Sequence, residues 1–251
     1  MKLSGNTILI TGGGSGIGLA FAERFIKTGN TVIVCGRRES VLQDAKEKLP
    51  SLITRVSDLG LESERTALFD WVTTNYPDVN VLMNNAGIGD QFHVLKEKEN
   101  WSYYNSEIAI NFEAPVHLSL LFAPYFTTKQ DTAIVNVTSG LAFTRLAFSP
   151  IYSATKAALH SFTMSLRHQL SDASVEVIEV APPAVQTAFT RNNGEPLDAF
   201  ADGIFQGLEE GKPEIGYGSS MNRLRMSRDE IDIYVEKMYQ AMKGSLDNMG
   251  R

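Results

Sequence analysis

Cysteine is nearly absent: Cys35 is the only one, so no disulfide can form within the chain. It lies inside an apolar run, where a buried structural thiol is the expected role. Histidines are few, and His93, His117, His160 and His168 show no ligand spacing with acids or cysteines, so no metal site is expected. Positive charge is in deficit, with 23 lysines and arginines against 29 acids and a net charge of -6, which speaks against a nucleic-acid partner. The one arginine cluster late in the chain, Arg223, Arg225 and Arg228, is short and reads as solvated surface. No apolar stretch approaches the ~20 residues of a bilayer span. The opening "MKLSGNTILITGGG" runs straight into a strand pattern, without the apolar segment and cleavage site of a signal peptide. A cytoplasmic protein with no membrane partner is the expectation.

What the chain does have is a series of short runs rich in Val and Ile: 7–10, 31–34, 52–56, 79–84, 132–138 and 175–181, with a shorter candidate at 212–218. Each gap between the first six leaves room for one helix. Runs without clean alternation fit strands covered on both faces. The βαβα order predicts a single α/β domain over 1–251, a doubly wound parallel sheet of about seven strands with helices on both faces. Ser40 with Gln43 predicts a capping box before a helix at 41–48. Ser227 with Glu230 predicts another, opening an extra C-terminal helix at 228–243. The longest helical patterns, 101–126 and 152–171, carry apolar residues on more than one face, as in Ile108, Phe112, Val116 and Leu120. They are expected to pack on the sheet and against a partner subunit.

"TGGGSGIG" at 11–18 joins the first strand to the first helix. Glycines there let the backbone turn sharply and approach a pyrophosphate, while the helix N-terminus offers free N–H groups. The common G-x-G-x-x-G spacing fits no frame; T-G-x-x-x-G-x-G does, through Gly12, Gly16 and Gly18, with Gly14, Ser15 and Ile17 between them. Further along, "SDL" 57–59 follows the third strand, "NNAG" 84–87 ends the fourth, Ser139 ends the fifth, and "YSATK" 152–156 gives Y-x-x-x-K.

This ordered set, spanning about residues 5 to 190, resembles the short-chain dehydrogenase/reductase family. The resemblance implies an oxidoreductase with a catalytic tetrad of Asn111, Ser139, Tyr152 and Lys156. It implies adenine contacts at Asp58 and Leu59, cofactor contacts at Asn85, Ala86, Gly87 and Tyr152, and a lysine, Lys156, that also binds the nicotinamide ribose. Asn111 would anchor a water in a proton relay. Pro182, Val185 and Thr187 would hold the nicotinamide carboxamide, although Pro183 stands where the family usually has glycine. Residues 186–211 would form a substrate flap, with 212–251 supplying a last strand and a helix that the family does not usually have. The family's mode of assembly implies a homodimer or homotetramer through about 101–126 and 152–171.

The chemistry is readable beside the resemblance. Tyr152 and Lys156 are i and i+4 on one helix face, and an ammonium near a phenol is expected to lower its pKa. Such a tyrosine donates a proton to a carbonyl oxygen or takes one from an alcohol. The Ser139 hydroxyl can hold the same oxygen. At the exit of the second strand, "VIVCGRRES" places Arg37 and Arg38 where an acid would contact a ribose 2′-hydroxyl. A guanidinium there matches a 2′-phosphate, so NADP(H) is expected over NAD(H). Ser15 stands where some NADP-binding relatives carry a second basic residue. The expected partner is a small carbonyl or alcohol compound, bounded by 87–93 and by 140–151. Two other functions stay open: a cofactor-binding sensor or scaffold without turnover, and an acyl-carrier-protein ketoreductase whose acidic partner would need a basic patch at Arg145 and Arg191.

Overall fold

The computed structural model describes residues 1–95 and 99–249. Seven parallel strands, β1 (Thr7–Thr11), β2 (Thr31–Gly36), β3 (Ile53–Val56), β4 (Val79–Asn84), β5 (Thr132–Val137), β6 (Val175–Ala181) and β7 (Glu214–Gly216), form one sheet in the order β3-β2-β1-β4-β5-β6-β7. Successive strand residues point to opposite faces, and both faces are covered. Ile8, Ile10, Val32, Val34, Val81 and Met83 face one core, which α1 (Gly16–Lys27), α2 (Glu39–Lys48) and α7 (Leu197–Glu209) close with Phe21, Phe25, Leu42, Phe200 and Ile204. Leu9, Ile33 and Leu82 face the other core, which α3 (Glu62–Asn75), α5 (Ala114–Phe126) and α6 (Pro150–Gln169) close with Leu68, Val72, Leu118, Phe122 and Leu166. This double burial explains why the runs read as continuously apolar. Cys35 lies fully buried in the second core, and burial pushes its thiol up to about 12, so it is an inert packing residue.

The chain runs from β1 outward through β2 to β3, then returns to pair β4 beside β1. That reversal opens a crevice beyond the carboxyl ends of the strands, between β1 and β4. A buried polar chain fixes α6 over it. Asn84 Nδ2 donates to Asn136 Oδ1 at 2.9 Å, and Asn136 Nδ2 donates to Thr163 Oγ1 at 2.9 Å.

Several sequence expectations change. No Ser40–Gln43 capping box forms: α2 starts at Glu39 and Arg38 is its N-cap, so Ser40 already lies inside the helix. The 101–126 helix contains a π-helical segment, Ala109–Glu113, between α4 (Trp101–Ile108) and α5. Pro115 has no N–H for the Asn111 carbonyl, so the i→i−4 ladder is interrupted there. Residues 186–211 are not one loop: α7 places Phe200, Ala201, Ile204 and Leu208 in the core. The Ser227–Glu230 box does form, with Ser227 N–H donating to Glu230 Oε2 at 2.7 Å, and α9 (Arg228–Met249) follows.

One ion pair ties α6 to β6. Glu179 is fully buried, accepts from Thr138 Oγ1 at 2.7 Å, and lies 2.8 Å from His160 Nδ1. The hydrogen bond to Glu179 raises the His160 pKa above its ordinary value, against some lowering by burial. A raised folded-state pKa stabilises the fold at pH below the unfolded histidine value of about 6.5, and the gain is lost as pH rises through the folded value. The melting temperature is therefore expected to fall across that window, and His160→Asn is expected to flatten the fall. A variant with the same pH dependence as the parent would rule this pair out as its source.

Candidate active site

The crevice is a cleft of about 730 Å³. Its floor is the glycine turn. Gly16 takes φ +53°, and α1 begins there with Ser15 as N-cap making no side-chain cap bond, which leaves first-turn N–H groups without a capping partner. Crowding fixes the glycines. A Cβ on Gly18 would lie 2.6 Å from the Gly12 carbonyl oxygen and 2.5 Å from Asn85 Nδ2; one on Gly12 would lie 2.8 Å from Ala86 Cα. Gly13 is equally constrained, since its Cβ would meet Val34 Cγ1 at 2.4 Å; the sequence motif gave it no role. Asn85 fastens this turn: its Nδ2 donates to the Thr11 carbonyl at 2.9 Å, and Thr11 Oγ1 accepts the N–H groups of Asn85 and Ala86.

Gly12, Gly14, Ser15, Gly16, Ile17 and Gly18 line the cleft together with Arg37, Arg38, Asp58, Leu59, Asn85, Ala86 and Gly87. Arg37 and Arg38 are exposed. Among the described residues neither pairs with an acid, and Glu39 does not neutralise them. Asp58 Oδ1 accepts the Gly60 N–H at 3.0 Å, which sets the turn after β3.

The predicted tetrad meets at the far part of the same cleft. Lys156 is buried, and its Nζ donates to the Val137 carbonyl at 2.9 Å. Burial lowers its pKa to about 8. Asn111 sits in the π-segment, also buried. Its Oδ1 accepts the Ile88 N–H at 2.9 Å, and its Nδ2 donates to the Ile88 carbonyl at 2.7 Å and to Thr155 Oγ1 at 3.2 Å. Asn111 thus pins the loop after β4 to α6. A Cβ on Gly87 would lie 3.5 Å from Asn111 Oδ1 and 3.6 Å from Lys156 Nζ, so the two groups flank the same glycine.

Tyr152 lies between Gly89, whose Cβ would come within 2.7 Å of its ring, and Phe189, with ring centroids 5.7 Å apart. Burial pushes its phenol up to about 12; a hydrogen bond with Ser139 opposes this, and the charge of Glu107 adds to it. The expectation that the Lys156 ammonium lowers this pKa is not met: burial dominates, while Lys156 Nζ is 5.8 Å from the ring centroid and donates a hydrogen bond to the Val137 carbonyl. Glu107 carried no signal in the sequence. It is buried on α4, its Oε1 accepts the Asp90 N–H at 2.9 Å, and its Oε2 is buried without a partner. Burial raises its own pKa.

The remaining wall comes from three stretches. Pro182, Pro183, Val185 and Thr187 follow β6, with Gly140 N–H donating to the Pro182 carbonyl at 2.8 Å. Gly194 packs against this turn: at φ +111° it sits where a Cβ would be 2.1 Å from the Ala184 carbonyl oxygen, and Glu195 N–H donates to that carbonyl at 2.8 Å. From the 140–151 connection, Leu141, Thr144, Arg145, Leu146 and Ser149 line the cleft. Phe143 packs on His160 instead, and Phe148 is buried against Tyr239. Arg223 from α8 (Ser219–Arg223), with Tyr234 and Met238 from α9, complete the wall. The sequence reading of Arg223 as solvated surface is therefore corrected: Tyr234 and the Gly140 backbone hold it inside the cleft. No periodic signal linked these residues to the site.

Comparison with known proteins agrees with this construction. A short chain dehydrogenase family model matches residues 6–198. The Bacillus subtilis uncharacterized oxidoreductase DltE is 45% identical over 251 residues, covering 96% of this chain and 98% of that protein. A tropinone reductase homolog of Datura stramonium is 32% identical over 74% of this chain and 70% of its own. Two solved folds superpose closely. A short chain dehydrogenase/reductase of Burkholderia phymatum in complex with NAD has a TM-score of 0.81 at 22% identity, covering 93% of this chain and 96% of that one. A short chain dehydrogenase of Burkholderia cenocepacia in complex with NADP has a TM-score of 0.81 at 24% identity, covering 94% and 99%. With the family model spanning the glycine turn, the tetrad and the turn after β6, the chain belongs to the short-chain dehydrogenase/reductase family of nicotinamide-dependent oxidoreductases.

Proposed function

We propose that this chain reduces a small carbonyl compound, or oxidises the matching alcohol, with NADP(H) preferred over NAD(H) and Tyr152 as the acid and base. The observation that carries the reading is one continuous cleft holding the glycine turn, the unpaired Arg37 and Arg38, and the four tetrad residues. The residues fit a dinucleotide: glycines whose Cβ would collide, an uncapped helix start, and two guanidinium groups at the end of β2. The cofactor, when bound, supplies or accepts the hydride. The protein's work is positional and electrostatic. Ser139 holds the reacting oxygen, Tyr152 exchanges its proton with it, and Lys156 offers an ammonium toward the ribose. Asn111 holds the loop that packs Gly89 against Tyr152, and Pro182, Val185 and Thr187 border the nicotinamide end.

The test is a panel of ketones and aldehydes assayed with NADPH and with NADH. Turnover that favours NADPH is expected; tight cofactor binding without turnover on any member would favour the sensor or scaffold alternative. The acyl-carrier-protein reading loses one of its two cations, since Arg145 is paired with Asp232 at 2.8 Å.

The same reading places the protein in the cytoplasm as a homodimer or homotetramer. Ile108, Phe112 and Val116 are only half-buried on the α4–α5 segment, and Leu120 is exposed, while Leu118, Phe122 and Phe126 fill the core. An apolar stripe on the outer face is what pairing through this segment and α6 requires. Light scattering at micromolar concentration is expected to give a dimer or tetramer mass; a monomer would contradict the assembly.

A further inference from the structure

We propose that the substrate carries an oxyanion, a carboxylate or a phosphate, within a few bonds of its reacting carbonyl, and that Arg223 binds it. This rests on the reading of the cleft as a carbonyl–alcohol site and adds the substrate class. Arg223 is the last residue of α8 and lines the cleft. A Cβ on Gly140 would lie 3.2 Å from both its Cδ and its Nη1, so the guanidinium rests against the residue that follows Ser139. Tyr234 restrains it: the guanidinium carbon is 5.0 Å from the ring centroid, and Nη2 donates to Tyr234 Oη at 2.5 Å. Nε is buried and has no partner.

Several of the chain's arginines are neutralised within the fold. Arg24 meets Asp198 and Asp202, Arg145 and Arg228 meet Asp232, and Arg167 meets Glu214. Among the described residues, no carboxylate pairs with Arg223. A half-buried guanidinium has lost hydration that only an anion or further hydrogen bonds restore. One held by a tyrosine ring and its hydroxyl is restrained before a ligand arrives, and its planar fork matches an oxyanion. Arg191 also lines the cleft, on an exposed left-handed residue, φ +52°, and it too makes no ion pair among the described residues. Of the acids lining the cleft, Asp58 accepts the Gly60 N–H and Asp90 accepts a hydrogen bond from the Tyr103 hydroxyl. Because Gly140 adjoins Ser139, the reacting oxygen and the oxyanion are bound by neighbouring parts of one turn, which suits short substrates.

The experiment compares pyruvate, acetoacetate and levulinate with their methyl esters, and dihydroxyacetone phosphate with dihydroxyacetone. Parent, Arg223→Gln and Arg223→Lys proteins are assayed for turnover with NADPH and for binding of the same probes by calorimetry. The parent is expected to favour at least one oxyanion over its neutral partner by about tenfold or more in kcat/KM, with Arg223→Gln erasing the preference mainly through KM and Arg223→Lys keeping part of it. The carboxylate and phosphate arms tell the two sources apart. Loss of preference in a variant that keeps the parent's melting temperature and NADPH affinity separates loss of the oxyanion site from misfolding. Equal treatment of anion and neutral partner by the parent, or a preference that survives Arg223→Gln, overturns the proposal. Probe binding that depends on Arg223 without any turnover would sustain the oxyanion site and overturn the hydride-transfer reading; neutral turnover without anion preference would do the reverse. Neither binding nor turnover of any oxyanion would overturn it as well.

Discussion

Replacing Tyr152 by phenylalanine is expected to lower carbonyl reduction by about 10²–10⁴-fold, the usual contribution of a positioned general acid, while cofactor binding stays intact. The change removes one oxygen and keeps the ring that Gly89 and Phe189 enclose, so the cleft keeps its shape. The phenol is pushed up to about 12 by burial, so it carries its proton throughout the neutral range. That suits donation to a carbonyl oxygen. Oxidation of an alcohol needs the phenolate, whose fraction below pH 12 grows about tenfold with each pH unit. Oxidation is therefore expected to climb toward alkaline pH, while the acid form needed for reduction stays populated. Stopped-flow measurement of both directions across pH 6–10 checks the sign. Activity that survives Tyr152→Phe would remove Tyr152 as the acid.

Arg37→Ala is expected to weaken NADPH binding by about 1.5–3 kcal/mol, the range for a hydrogen bond to a charged group, or roughly 10- to 150-fold. NADH, which lacks the 2′-phosphate, is expected to change little. The physical basis is that Arg37 and Arg38 stand exposed on the cleft wall with no acid paired to either among the described residues. Their charge is available to a ligand rather than spent within the fold. Arg38 is the N-cap of α2 but makes no side-chain cap bond; Arg37, which directly follows Gly36 at the strand exit, gives the first comparison. Titration of each cofactor by calorimetry measures both affinities. Equal losses for NADPH and NADH would mean that the pair does not read the phosphate.

Much of the fold was legible because burial on both sheet faces leaves continuous Val and Ile runs, and because the glycine turn and Tyr152–Lys156 spacing are local. What stayed hidden was set by tertiary contact. Helix α7 fell inside the 186–211 stretch assigned to a substrate flap by resemblance, and its two glycines give no helical signal. Both are there for close packing: a Cβ on Gly203 would meet the Tyr217 ring at 2.5 Å, and one on Gly207 would meet Ile215 Cγ2 at 2.6 Å. Ser40 and Gln43 matched a capping pattern, yet the helix begins before them at Glu39. The Tyr152 pKa went the other way from expectation because desolvation outweighs the hydrogen bond with Ser139. Glu107, Arg223 and Tyr234 reach the site from separate elements, and no spacing in the sequence brings them together.

The central claim is hydride transfer from NADPH at a carbon whose oxygen is protonated by Tyr152. The direct measurement uses NADPH deuterated at the transferable position, with mass spectrometry of the alcohol formed from a reactive ketone. The account predicts one deuterium at the carbinol carbon with the parent protein, far less product with Tyr152→Phe, and slower labelling when NADH of the same kind is supplied. Cofactor that binds but transfers no deuterium to any carbonyl offered would contradict it.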